Sequence, residues 1–228
     1  MPKLAGHLTR VYYDGYDFSG QLNALEVNGD ADAPETSTFA NVRKSFVVGL
    51  LEGKVVHRGL LTNEGSQAHD VLRSLLGSQD IFTATWGTLS GYPGVAGSAS
   101  ILARHNGRVD VKGVAAIEDE YVQDAPGLDF VTIVAPLAAR GGTSAALDGG
   151  ASSANGLRAY GQITAVALAG TPAIQHSATG TSAWADLISF GNQAARNAVA
   201  GSVTGTVERY LRANNDGTIT WLLAAVRG

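Results

Sequence analysis

The chain has 228 residues, 45% of them hydrophobic but only 7% aromatic, with 29 glycines and no cysteine. That length allows one large β domain or two small ones with an aliphatic core, and the missing cysteines exclude disulfides and thiolate metal sites, as fits a reducing compartment. The net charge of −4 excludes the basic surface that phosphate-binding proteins use.

In chain order, Val11-Tyr12-Tyr13-Asp14-Gly15-Tyr16 predicts a strand, a tight turn at Asp14-Gly15 and a second strand near Leu25 and Val27. Residues 28–34 read as a loop from their Gly, Asp and Pro content. Residues 54–61 and 81–86 predict strands; in the second, Phe82, Ala84 and Trp86 alternate with Thr83 and Thr85. Between them, residues 66–76 predict a helix. Ser66 caps it, Val71, Leu72, Leu75 and Leu76 share one face, and Gly77 stops it.

Residues 101–104 and 108–114 flank Asn106-Gly107, a strong hairpin-turn signal. Residues 129–136 predict a further strand. Residues 138–156 are rich in Gly, Ala and Ser without periodicity, which predicts a linker or long loop. This divides the chain into a first β domain, 1–137, and a smaller one, 157–228. Within the second, residues 160–168 and 203–211 predict strands and 182–188 a short helix. Asn215-Asp216-Gly217 then turns the chain into a strand over 218–226. No apolar run reaches the ~20 residues of a membrane helix, and residues 1–7 lack a signal-peptide core, so a soluble chain without a cleavable signal is expected.

The chemistry-bearing residues form no catalytic pattern. Asn28, Asp30 and Asp32 begin like a calcium loop, but Ala33 and Phe39 stand where glycine and glutamate are required. Glu118-Asp119-Glu120, with Asp124 and Asp129, reads as a solvated acidic loop. His7, His57, His69, His105 and His176 are scattered, without zinc-site spacing. Gly91-x-x-Gly94-x-x-Gly97 reads as a loop and not as a dinucleotide fingerprint. Trp86, Trp184 and Trp221 read as core, the alternative being a sugar-stacking platform on Trp184 or Trp221. No enzyme activity and no cofactor or metal is expected.

Two stretches about a hundred and fifty positions apart echo one another. Thr38-Phe39-Ala40-Asn41, with Val56, Arg58, Leu60 and Asn63, aligns without a gap onto Ser189-Phe190-Gly191-Asn192, with Val207, Arg209, Leu211 and Asn214. The spacing is too large for a solenoid repeat and predicts duplicated β domains, with Phe39 and Phe190 in equivalent positions.

The same stretches, Thr38-Phe39-Ala40-Asn41, Gly49-Leu50 and Gly53-Lys54-Val55-Val56-His57-Arg58-Gly59, resemble the strand, loop, strand pattern of tail tube proteins of long non-contractile tailed bacteriophages. Gln175-His176-Ser177, Trp184-Ala185-Asp186-Leu187 and residues 205–212 resemble a diverged second copy. The resemblance implies two tandem β-sandwich or barrel domains with one flanking helix in the first. It implies a virion protein, assembled in the host cytoplasm, that self-associates as trimeric rings stacking into a DNA conduit beside other tail proteins.

Arg43, Lys44 and the apolar run Phe46-Val47-Val48 are the subunit-interface candidates, on a loop expected to order against a neighbouring subunit. Asp110, Glu118, Asp119, Glu120 and Asp124 are the lumen candidates, whose charge would let DNA pass without being gripped. A capsid decoration or other tail or baseplate protein is the near alternative; a carbohydrate-binding β-sandwich is the distant one.

Overall fold

The computed structural model describes residues 6–31, 51–60, 68–109, 115–124 and 127–228. After a 3-10 turn at Gly6–Leu8 come β1 (Thr9–Tyr13), β2 (Tyr16–Asp17), β3 (Leu22–Ala31), β4 (Leu51–Leu60), α1 (Ala68–Leu75), β5 (Gln79–Trp86), β6 (Pro93–Val109), β7 (Ala115–Gln123) and β8 (Asp129–Arg140). Then follow β9 (Leu147–Asp148), β10 (Leu157–Leu168), β11 (Ala173–Ser177), β12 (Ala185–Ser189), β13 (Asn197–Val203), β14 (Tyr210–Asn214) and β15 (Thr218–Arg227). The fold is mainly β, with one helix among the described residues, as the composition predicts.

The chain forms two compact units, and neither is one continuous stretch. Unit 1 comprises residues 1–20, 80–98 and 129–228; unit 2 comprises 21–79 and 99–128.

In unit 1 the strands follow the order β13-β10-β15-β8-β6-β5-β1-β2, and a smaller sheet runs β12-β11-β14-β9. The apolar run Ile219-Thr220-Trp221-Leu222-Leu223-Ala224-Ala225 is the key to this packing. Strand alternation sends Ile219, Trp221, Leu223 and Ala225 to one core and Leu222 and Ala224 to another. A strand buried on both faces reads as a continuous hydrophobic run. The first core also takes Ile174, Leu211 and Ala213 from the smaller sheet, so the two sheets pack face to face there. The second core gathers Tyr12, Ile81, Val131 and Tyr160 from strands along the longer path.

The two ends of that path approach each other. Gly15 donates its N–H to Gln162 Oε1 at 2.9 Å, and Gln162 Nε2 donates to Ile81 O. Arg196, just before β13, stacks 4.2 Å over the Tyr16 ring. Gly15 sits at φ +71, and a Cβ there would meet Ile163 O at 2.6 Å. Only glycine fits both the turn and the contact.

Unit 2 is built on β3, β4, β7 and the second half of β6, paired antiparallel in that order, with α1 alongside. Leu72 is the buried anchor of the helix, and Ala68 N donates to Gln21 Oε1 at 2.7 Å. Gly77, at φ +81, ends it as expected and donates to Leu102 O. The expected cap, Ser66, lies outside the described residues.

Several expectations are corrected. Asn106-Gly107 is not a turn: β6 runs straight through it, with Asn106 paired to Glu118 and Gly107 to Ile117. A nine-residue ladder partner outweighs a local turn preference. Gly94 and Gly97 also lie in β6, and β3 extends the chain's extended backbone to Ala31. The expected helix at 182–188 is β12, paired to β11, and follows Ala183 at φ +53, a conformation no helix contains. The expected strand over 203–211 breaks at Gly205, φ +94, so β13 ends at Val203 and β14 begins at Tyr210.

The expected linker, 138–156, lies inside unit 1. β9 pairs with β14 and Ser153 bridges Val207, so small residues here serve close backbone packing instead of flexibility. The echoed positions agree only in part: Val56 and Val207 are both buried, but Leu60 is 48% exposed in β4, whereas Leu211 is 3% exposed in β14. Phe39 lies outside the described residues.

Candidate functional site

The acidic cluster is a strand. In β7, Ile117, Asp119, Tyr121 and Gln123 point to one face and Glu118 and Glu120 to the other, following the strand period of two. The register sets His57 of β4 and His105 of β6 directly across from Asp119 on either side. His57 Nε2 lies 2.7 Å from Asp119 Oδ2, and His105 Nδ1 hydrogen-bonds Oδ1. His105 Nε2 in turn meets His69 Nδ1 of α1 at 2.8 Å. The His57 and Asp119 side chains are wholly buried and that of His105 is 5% exposed. A buried carboxylate persists only when paired and hydrogen-bonded, and two imidazoles supply this.

The opposite face carries a charge ladder. Arg58 Nε donates to Glu118 Oε2 at 2.6 Å, and Arg104 reaches Glu118 at 2.8 Å and Glu120 at 3.3 Å. Lys54 pairs with Glu120 at 2.9 Å, and Arg58 lies 3.7 Å from Glu26. Arg58's hydrogen bond holds the Glu118 carboxyl below the usual range, with Arg104 adding to the effect. Three bases thus meet three acids across four strands, so the ladder itself is balanced.

These placements revise the lumen candidates. Asp119 is buried and faces the histidines, so it cannot line a passage. Glu118 and Glu120 are neutralised by partners that their sequence neighbourhood does not reveal. Asp124 is exposed, accepting from Gln79 Nε2 at 3.3 Å. Asp110, together with the interface candidates Arg43, Lys44, Phe46, Val47 and Val48, lies outside the described residues. Asp129 belongs to unit 1, where Arg158 and Tyr160 hold it.

His57, His69 and His105 are not recognisable from the sequence as partners of Asp119, because they lie far from it along the chain. The signal available was the alternation Ile117, Asp119, Tyr121, which marks a half-buried strand with an acid on its inner face.

The two tryptophans named for a sugar platform differ in exposure, Trp221 being buried and Trp184 half-buried. Trp221 is fully buried in the core, and the Trp184 ring lies beneath Arg212, 4.1 Å from its guanidinium. Among the described residues no group of three or more His, Cys, Asp or Glu could hold a metal ion. No helix there is long and apolar enough to cross a membrane.

No family model matches the chain, and no curated protein matches it. Among solved structures it is similar to a chain of the virion of a native gene transfer agent particle, at 12% identity and TM-score 0.46, over 56% of this chain and 98% of that one. A chain of the tail of an empty gene transfer agent particle with C6 symmetry gives 13% and 0.40, over 54% and 93%. The Dit protein of phage SPP1, described as a hub of the adsorption apparatus in phages infecting Gram-positive bacteria, gives 8% and 0.39, over 96% and 99%. Likeness at this distance assigns no function by itself.

Proposed function

We propose that this chain is a structural subunit of a phage tail that self-assembles as trimers into stacked rings around a DNA passage. The observation that carries the reading is β4. Residues 53–59, on which the resemblance to tail tube proteins rests, form a strand bonded on one flank by β3 and on the other by β7. This is the strand the resemblance implies, and it lies in a mainly antiparallel fold of two compact units.

The conduit acts by charge balance more than by repulsion. The ladder of Glu26, Lys54, Arg58, Arg104, Glu118 and Glu120 neutralises itself, and bases already paired with carboxylates release few counterions from DNA. Asp124 and Asp110 remain as lumen candidates. The protein belongs to the virion tail, assembles in the host cytoplasm, and contacts further copies of itself and other tail proteins. It is not an enzyme and takes no cofactor.

Sedimentation of the purified chain over a wide concentration range tests the self-association. Growth from a small ring to larger species supports it; a monomer at every concentration contradicts it. A gel shift with duplex DNA at low salt tests the passage: unretarded DNA is expected, and tight, salt-sensitive binding would move the reading to DNA packaging.

A further inference from the structure

We infer that the row Asp119–His105–His69 in unit 2 is an acid-released clasp on helix α1. The inference follows from counting hydrogens along the row. An ionised carboxylate only accepts hydrogen bonds. With Asp119 ionised, His57 therefore donates through Nε2–H and His105 through Nδ1–H. A neutral His105 then offers the lone pair of Nε2, and His69 donates to it through Nδ1–H across 2.8 Å. Every N–H in the row points toward the carboxylate.

One added proton fits this geometry. It can sit on the outer nitrogen of His69, or on His105 Nε2 with His69 in its other tautomer. A second proton does not fit. With both rings doubly protonated, an N–H stands on each side of the 2.8 Å gap, and two donors and two positive charges face each other. His69 is the partner able to leave, because it is half-buried on a helix of eight residues, whereas His105 and His57 lie within strands bonded to β7.

The open state binds one more proton than the clasped state, so opening is favoured as pH falls. Histidine is the side chain whose charge changes across the near-neutral range. Among the described residues, the groups facing the row are His57 from β4, Asp119 and Tyr121 from β7 and His105 from β6. On α1, Asp70 and Arg73 flank His69 and are exposed. Arg58, Arg104, Glu118 and Glu120 occupy the opposite face of the sheet, where they pair with one another.

The experiment is amide hydrogen exchange on the full chain at about pH 7.5 and about pH 5, corrected for intrinsic exchange. Protection of the α1 amides should fall about tenfold or more on acidification, while β10 and β15 keep theirs. His69→Gln should remove the response, because the amide can donate to or accept from His105 by turning over. Unchanged α1 protection in the wild type overturns the clasp, as does a pH response that survives in His69→Gln. Loosening of β4 and β7 together with α1 overturns it too, since the proton would then be acting at Asp119 or His57. If His69→Gln does not fold, nitrogen chemical shifts of the wild-type imidazoles decide: His69 and His105 must both be doubly protonated at the pH where α1 protection is lost, and a doubly protonated His69 beside a singly protonated His105 overturns the clasp.

Discussion

Asp119 and His57 are direct cross-strand neighbours of β7 and β4, joined Oδ2 to Nε2 at 2.7 Å with both side chains wholly buried. With His105 on the other carboxylate oxygen, Asp119 links three strands of unit 2 through side chains as well as backbone. Its removal leaves two buried imidazoles without their acceptor.

Asp119→Ala should therefore destabilise the protein by about 2–5 kcal/mol, the cost of leaving two buried imidazole N–H groups without their acceptor. Asp124→Ala, at an exposed position one residue beyond the end of the same strand, should stay within about 0.5 kcal/mol. Urea unfolding of the two variants beside the wild type measures both; equal effects would contradict the role given to Asp119.

Asp14 predicts a pH dependence in unit 1. Burial, then the charge and hydrogen bond of Asp80, raise its carboxyl to about 6, with Arg196 opposing. Its unfolded carboxyl titrates near ~4. Between those values the folded state holds a proton that the unfolded state has lost, so this group's contribution to stability falls as pH rises through that window. Asp14→Asn removes the penalty and suits the φ of +50 at this position. The variant should be more stable than the wild type by about 1 kcal/mol at pH ~7, after screening by solvent, with the gain vanishing near pH ~4. Thermal unfolding across this range checks the sign.

Gly15 closes the strand path of unit 1, and a side chain there meets both positive φ and the backbone of Ile163 and Asn197. Gly15→Ala should cost about 2 kcal/mol or more. Gly20→Ala is the comparison: nothing lies within 4 Å of its added Cβ, and thermal unfolding should move little.

The strands are legible from alternation in Gln79–Trp86 and from apolar or aromatic runs beside turn residues in Thr9–Tyr13 and Thr218–Arg227, and the helix from its apolar face. The turn at Asp14-Gly15 is legible, and β2 pairs back onto β1 across it; Asn215-Asp216-Gly217 reads as the turn of a second hairpin, but β14 and β15 on either side of it belong to different sheets. Turn chemistry misled at Asn106-Gly107, because a partner strand, invisible to local signals, carries the ladder through. The His57–Asp119–His105–His69 row was hidden for a related reason: strand register brings these residues together, and pairing is not written in their spacing. The discontinuous units follow from the same long-range pairing, which no composition shift marks.

Arg43, Lys44 and Phe46-Val47-Val48 remain the proposed subunit contact. Replacing Phe46 and Val48 with Ser should leave the circular dichroism spectrum and melting temperature close to wild type while assembly weakens. Wild-type assembly by sedimentation would contradict the assignment.

Negative-stain electron microscopy of the purified, concentrated chain tests the central claim most directly. Stacked rings or tubes with an open centre, each ring built from three copies and showing pseudo-sixfold outline, are the predicted result. Isolated monomers under all conditions that favour assembly, or trimers that never stack, would contradict a tail tube.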